Sequence, residues 1–219
     1  LITTNVTGFF RHPRHFEVAV EHSLAVIRQQ GLARLWSAAA STGEEAYSLA
    51  MALIEGSGRD DPPVTIFATD IDTDAVAIAR RGEYGKVALG SLSPERRARF
   101  LTPVPGGKRW KIAPAVSRIV EFGVMNLNGS AWRVEGPLDV IFCRNVLMYL
   151  EACRRHAALE RLASLLPPDG LLILDPTEHL GKAGYLFTQQ TNGMCFRLAT
   201  ASCKRCCPTP FAPDEEELR

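Results

Sequence analysis

The chain has 219 residues, 46% of them hydrophobic, with 25 basic against 24 acidic side chains and a formal net charge of +1. That is enough apolar material to bury one core, and it lacks the basic stripe that a phosphate backbone requires, which argues against nucleic acid as a partner. No apolar run approaches the roughly 20 residues of a membrane span, no signal peptide opens the chain, and six irregularly spaced cysteines make no secreted disulfide framework; the class that remains is a cytoplasmic enzyme or binding domain.

In chain order, the apolar spacing predicts a helix over 9–30, stopped by Gly31, then a short buried strand over 34–39 and a helix over 44–55. A strand over 64–69 ends at Asp70 and feeds a helix over 73–80. Ser93 and Pro94 open another helix as N-cap and first-turn proline. Between 103 and 121 glycines and prolines separate short alternating runs, which suits a small β excursion. Strands follow over 119–125, 138–143 and 170–174, with a helix over 151–166 before the last of them. Two short segments, 185–189 and 194–198, flank the turn signal Asn192-Gly193. Strand–helix alternation of this kind means an α/β fold with a mostly parallel sheet, and the last pair is expected antiparallel on one edge.

The stretch "RLWSAAASTGEEAYSLA" (34–50) reads as a strand–loop–helix nucleotide site whose glycines are mostly alanine and serine. Ser41 with Glu44 and Thr42 with Glu45 each have capping-box spacing. Two glutamates at a helix start would repel a pyrophosphate and would welcome an ammonium group, as in S-adenosylmethionine, which has no phosphate. A plain strand–helix turn capped by glutamates remains the alternative. Asp70, at a strand's carboxyl end, suits a ribose, while Asp72 or Thr73 suits the cap of the next helix. Asn126, then Arg144 and Asn145, end the next two strands, so four polar clusters converge where open α/β sheets bind ligands. Ahead of them, Asn5, Thr7 and Arg11 could present donors to a carboxylate; Phe9 and Phe10 read as core, and His12 and His15 lack a third ligand for a metal.

The strings "TTNVTGFFR", "WSAAASTGEEAYSLA", "FATDID", "LSPERRARF", "VEFGVMNL" and "FCRNVLMY", in this order, resemble the CheR-type chemotaxis receptor methyltransferases, and "PPDGLLIL" continues the match. The resemblance implies a Rossmann-like class I methyltransferase domain over about 1–202, with a small inserted β-subdomain about 103–122, a tail or linker over 203–219, and none of the family's N-terminal helical domain. It implies S-adenosyl-L-methionine as cofactor and S-adenosyl-L-homocysteine as product. The cofactor contacts it implies are Asn5, Thr7, Arg11, Ala39, Glu45, Asp70, Asn126, Leu127, Arg144 and Asn145, with Arg11 near the reacting methyl, Glu45 on the ammonium, Asp70 on the ribose and Tyr149 beside the methyl group. Arg11 and Tyr149 are the catalytic candidates, and no metal is expected. The implied reaction esterifies glutamates on the cytoplasmic helices of a chemoreceptor by a cytoplasmic monomer, with the β-subdomain as a docking surface in some members.

A carboxylate with a reference pKa near ~4.3 needs no general base; placement and desolvation supply most of the rate, so no His–Asp pair is expected. One departure is "DPTEHL" (175–180), where the family has a "GHSEN"-like segment: Glu178 fits, whereas Asp175 and Pro176 alter the substrate mouth. The cysteines of "CKRCC" read as incidental to a tail. The alternatives are a small-molecule methyltransferase, or a non-catalytic S-adenosylmethionine-binding sensor or scaffold.

Overall fold

The computed structural model describes residues 7–129, 131–190 and 193–199; Asn5, Asn192 and the "CKRCC" cysteines lie outside them. Helix α1 (Pro13–Gln30) begins on a proline and ends at Gly31, whose φ of 82° lets its N–H turn back to Ile27. It buries His15, Phe16, Ala19, Ser23 and Val26, one helical stripe. The helix starts later than its sequence suggests because Phe10 and His12 take φ of 52° and 60°, which turns Phe9 and Phe10 into the core instead of along a helix.

Strand β1 (Ala33–Ser37) leads into helix α2 (Glu44–Ser57), and β2 (Val64–Asp70) into α3 (Thr73–Arg81). Asp72 caps α3, accepting from the amides of Asp74 and Ala75. Both capping boxes expected at α2 are absent, and its N-cap is Gly43 at φ 96° with no side-chain cap. Gly43 is pressed so closely on the neighbouring helix that a β-carbon there would lie 2.8 Å from that of Ala79. Glu44 bonds Thr42 instead, and Glu45 turns toward the strand ends.

The chain next builds β3 (Glu83–Gly85), α4 (Pro94–Phe100), β4 (Leu101–Pro103) and β5 (Arg109–Ile112), where β5 pairs antiparallel with both β3 and β4 in a separate three-stranded sheet. Ser93 caps α4 as expected. This small sheet draws on residues from 83 onward, whereas α5 (Pro114–Ser117) and β6 (Val120–Val124) return to the main sheet. The remaining elements are β7 (Val140–Phe142), α6 (Ala152–Leu165), β8 (Leu171–Ile173), β9 (Phe187–Gln189) and β10 (Cys195–Leu198).

The seven-stranded sheet runs β6-β2-β1-β7-β8-β10-β9; it is parallel up to β8, and β10 is antiparallel to both neighbours. Alternation along the central strands divides the interior. Leu35, Phe142 and Ile173 face the layer built on α1 and α2, while Trp36, Ile141 and Leu172 face the layer built on α6. From β1 the chain first moves outward to β2 and β6, then jumps back to β7 on the other side. That reversal opens a crevice at the carboxyl ends of β1 and β7, where the polar clusters meet.

Candidate functional site

Arg144 stands two residues beyond the end of β7 and is buried. Its Nη1 donates to Glu45 Oε2 at 2.9 Å, and Ser37, the last residue of β1, donates its hydroxyl to Glu45 Oε1 at 2.8 Å. Burial raises the Glu45 carboxyl above its ordinary range, against the pull of Arg144 and Ser37. A second carboxylate, Asp175 after β8, stands with Oδ2 3.9 Å from Arg144 Nη2. Burial would raise this one too, but hydrogen bonds from the side chain and amide of Thr177 and from the Asn145 side chain, with Arg144 beside them, hold it below its ordinary value.

Asp70 closes β2 and binds two loops together. Its Oδ2 accepts from the Ser41 amide at 2.7 Å and its Oδ1 from the Asp72 amide at 3.0 Å. A carboxylate has about four acceptor positions, so both oxygens retain capacity for a ligand hydroxyl. Asn126 folds its side chain onto the Asn128 amide at 2.8 Å and is exposed, while Leu127 beside it is buried. Ala39 and Thr7 are half-buried, Arg11 lies at the surface, and Tyr149 ends a 3₁₀ turn (Leu147–Tyr149) with 64% of its surface open.

Glu178 fixes the β7 loop. One oxygen accepts from the amides of Val146 and Leu147 at 2.9 and 2.8 Å, the other from those of Asn145 and Asp175 at 3.0 and 3.1 Å. Four amides on one buried carboxylate hold Asn145 at φ 57°. Among the described residues, the non-glycine residues with positive φ are Phe10, His12, Ser41 and Asn145. All four belong to the segments carrying the expected ligand contacts, and such strain persists only where surrounding bonds over-determine it.

Glu45, Asp70, Arg144 and Asn145 are thus brought to one rim. Nothing in the local pattern marks Ser37 as joining them, or Glu178 as bonding backbone and not ligand; no local spacing encodes contacts between chain segments so far apart. A His–Asp approach, expected to be absent, is present: His12 Nε2 lies 3.7 Å from Asp175 Oδ2, beyond hydrogen-bonding range, with its ring stacked on His15 at 5.5 Å. Four buried polar atoms of the rim have no hydrogen-bond partner: Arg144 Nε and Nη2, Asp175 Oδ2 and Ser41 Oγ. Donors and acceptors left open together at strand ends fit a ligand that carries both kinds of group.

Residues 5–194 match the family model described as CheR methyltransferase, SAM binding domain. Chemotaxis protein methyltransferase 2 of Pseudomonas aeruginosa is 38% identical over 187 residues, covering 84% of this chain and 67% of that protein. The chemotaxis protein methyltransferases of Salmonella typhimurium and Escherichia coli are 39% and 38% identical, covering 81% and 85% of this chain and 62% and 65% of theirs. The chain therefore spans about two thirds of the length of these relatives. With that match along nearly all of its described length, the chain belongs to the CheR methyltransferase family and contains its S-adenosylmethionine-binding domain.

Proposed function

We propose that this chain transfers the methyl group of S-adenosylmethionine to glutamate side chains of a chemoreceptor, forming glutamyl methyl esters in sensory adaptation. The observation that carries this reading is the Glu45–Arg144 pair, with open donor and acceptor atoms on Arg144, Asp175 and Ser41, in a chain of this family.

The residues fit the cofactor. Glu45 offers an anionic partner for its ammonium, and Asp70 has acceptor capacity left for ribose hydroxyls. The short side chains Ala38, Ala39 and Ala40 let the loop backbone approach closely. Asn5, Thr7, Arg11, Ala39, Asn126, Leu127 and Asn145 complete the proposed contacts. When bound, the cofactor supplies an electrophilic methyl on a sulfonium centre.

The protein's share is placement. Glu178 holds the loop that aims Arg144 and Tyr149, and Ser37 with Arg144 orients Glu45. A glutamate acceptor arrives ionised, so no residue needs to take its proton; Arg11 and Tyr149 hold it in line and shield it from water. The acceptor is proposed to lie on the cytoplasmic helices of the receptor, approached across the three-stranded sheet by a cytoplasmic monomer. No helix among the described residues is long and apolar enough to cross a membrane.

The test incubates the purified protein with methyl-labelled cofactor and membranes bearing its own receptors. Base-labile label on receptor glutamates supports the proposal. Tight cofactor binding without transfer to any receptor would point to the sensor or scaffold alternative.

A further inference from the structure

Arg144 carries one positive charge and touches two carboxylates. Nη1 is hydrogen-bonded to Glu45, and Nη2 lies 3.9 Å from Asp175. The other acids at the rim are occupied by backbone: Glu178 by four amides and Asp70 by two. Asp175 differs. Its Oδ1 is bound by the amide and hydroxyl of Thr177 at 3.1 and 2.7 Å, which with the neighbouring Asn145 side chain fixes the carboxylate, while its buried Oδ2 has no partner within hydrogen-bond geometry. Its side chain is 4% exposed and that of Arg144 3%, so water screens neither well. The cationic candidate opposite is His12 at 3.7 Å, 43% exposed; the buried His15 behind it is held neutral, its pKa lowered to about 4, mainly by burial. Among Glu45, Arg144 and Asp175 there are thus two carboxyl groups for one guanidinium.

We propose that Asp175 is a charge-selecting residue of the cofactor site, favouring the sulfonium cofactor over its thioether product. This rests on the cofactor reading above. In methyl transfer an acceptor carboxylate oxygen bonds the methyl carbon and the carbon–sulfur bond breaks. Its electron pair stays on sulfur and no proton moves. The ligand loses one positive charge, falling from +1 to neutral at pH 7. A fixed, poorly solvated carboxylate is stabilised by the first ligand form and not by the second. Asp175 therefore favours replacement of spent product by fresh cofactor.

The test is titration calorimetry of the purified protein with S-adenosylmethionine and, separately, S-adenosylhomocysteine. Asp175→Asn removes the charge and keeps an acceptor for Thr177; Asp175→Gly removes the whole side chain and serves as a second variant should the first misfold. Each variant is expected to lose affinity for S-adenosylmethionine about tenfold, the order of effect of a unit charge across a shielded crevice, with the product's affinity changed less than about twofold. Parallel losses for both ligands, or no change in either, would overturn the assignment, since a merely structural role moves both together. Failure of the unsubstituted protein to bind either ligand would overturn the cofactor reading itself, a result distinct from the other two.

Discussion

Arg144 and Glu45 meet at 2.9 Å across 99 residues of sequence, their side chains 3% and 12% exposed. The pair ties the carboxyl end of β7 to the first turn of α2, so one contact sets the position of two proposed ligand-binding segments. Arg144→Met leaves Glu45 buried without its cation. Breaking such a pair costs about 3–5 kcal/mol, read as a lower urea midpoint, and cofactor affinity should fall with it. Arg144→Lys keeps the charge and should lose less of both.

Glu178→Gln replaces one acceptor oxygen with an amide group that cannot accept a hydrogen bond, and strands two of the four backbone amides. The expected loss is about 1–3 kcal/mol by chemical denaturation. Because the strained Asn145 is released, cofactor affinity should also fall. An unchanged affinity would show that the loop holds its shape without the carboxylate.

Much of this architecture was legible in the chain. The strand–helix alternation, the caps at Asp72 and Ser93, and the polar residues at the ends of β2 and β7 follow from local pattern. What local pattern missed depends on packing between distant segments. The capping boxes at α2 satisfied the spacing rule, yet Gly43 is wedged against Ala79 and the two glutamates are drawn to Thr42 and to Arg144. The small sheet begins at Glu83 because β3 pairs with β5, a contact no run of residues near 83 announces. Asp175 and His12 are 163 positions apart, and only the fold brings them to one rim.

Gly43→Ala tests the wedge. An added β-carbon meets Ala79 at 2.8 Å and the Tyr84 hydroxyl at 3.0 Å, at a φ of 96° that side chains rarely adopt. Strain of this kind costs about 1–3 kcal/mol, so the melting temperature should drop by several degrees. The same shift in the loop should weaken cofactor binding.

His15 makes stability depend on pH. Burial lowers its pKa from 6.5 to about 4, so the folded state holds it neutral while the unfolded chain takes up a proton. A lowered base gives stability that is complete above pH 6.5 and is lost as pH falls toward 4, to a total of about 3 kcal/mol. Glu44 and Glu45, raised by burial, act in the opposite sense as pH falls. The histidine is therefore isolated by difference: by urea unfolding, the change in stability from pH 7 to pH 5 should be less unfavourable in His15→Gln than in the unsubstituted protein.

Amide hydrogen exchange with and without S-adenosylhomocysteine tests whether the crevice at the ends of β1, β2 and β7 holds the cofactor. Protection is expected in four segments, 38–45, 70–73, 126–128 and 144–147, with the outer strands β9 and β10 unchanged. Protection confined to other segments, or none at ligand concentrations that saturate binding, would contradict it.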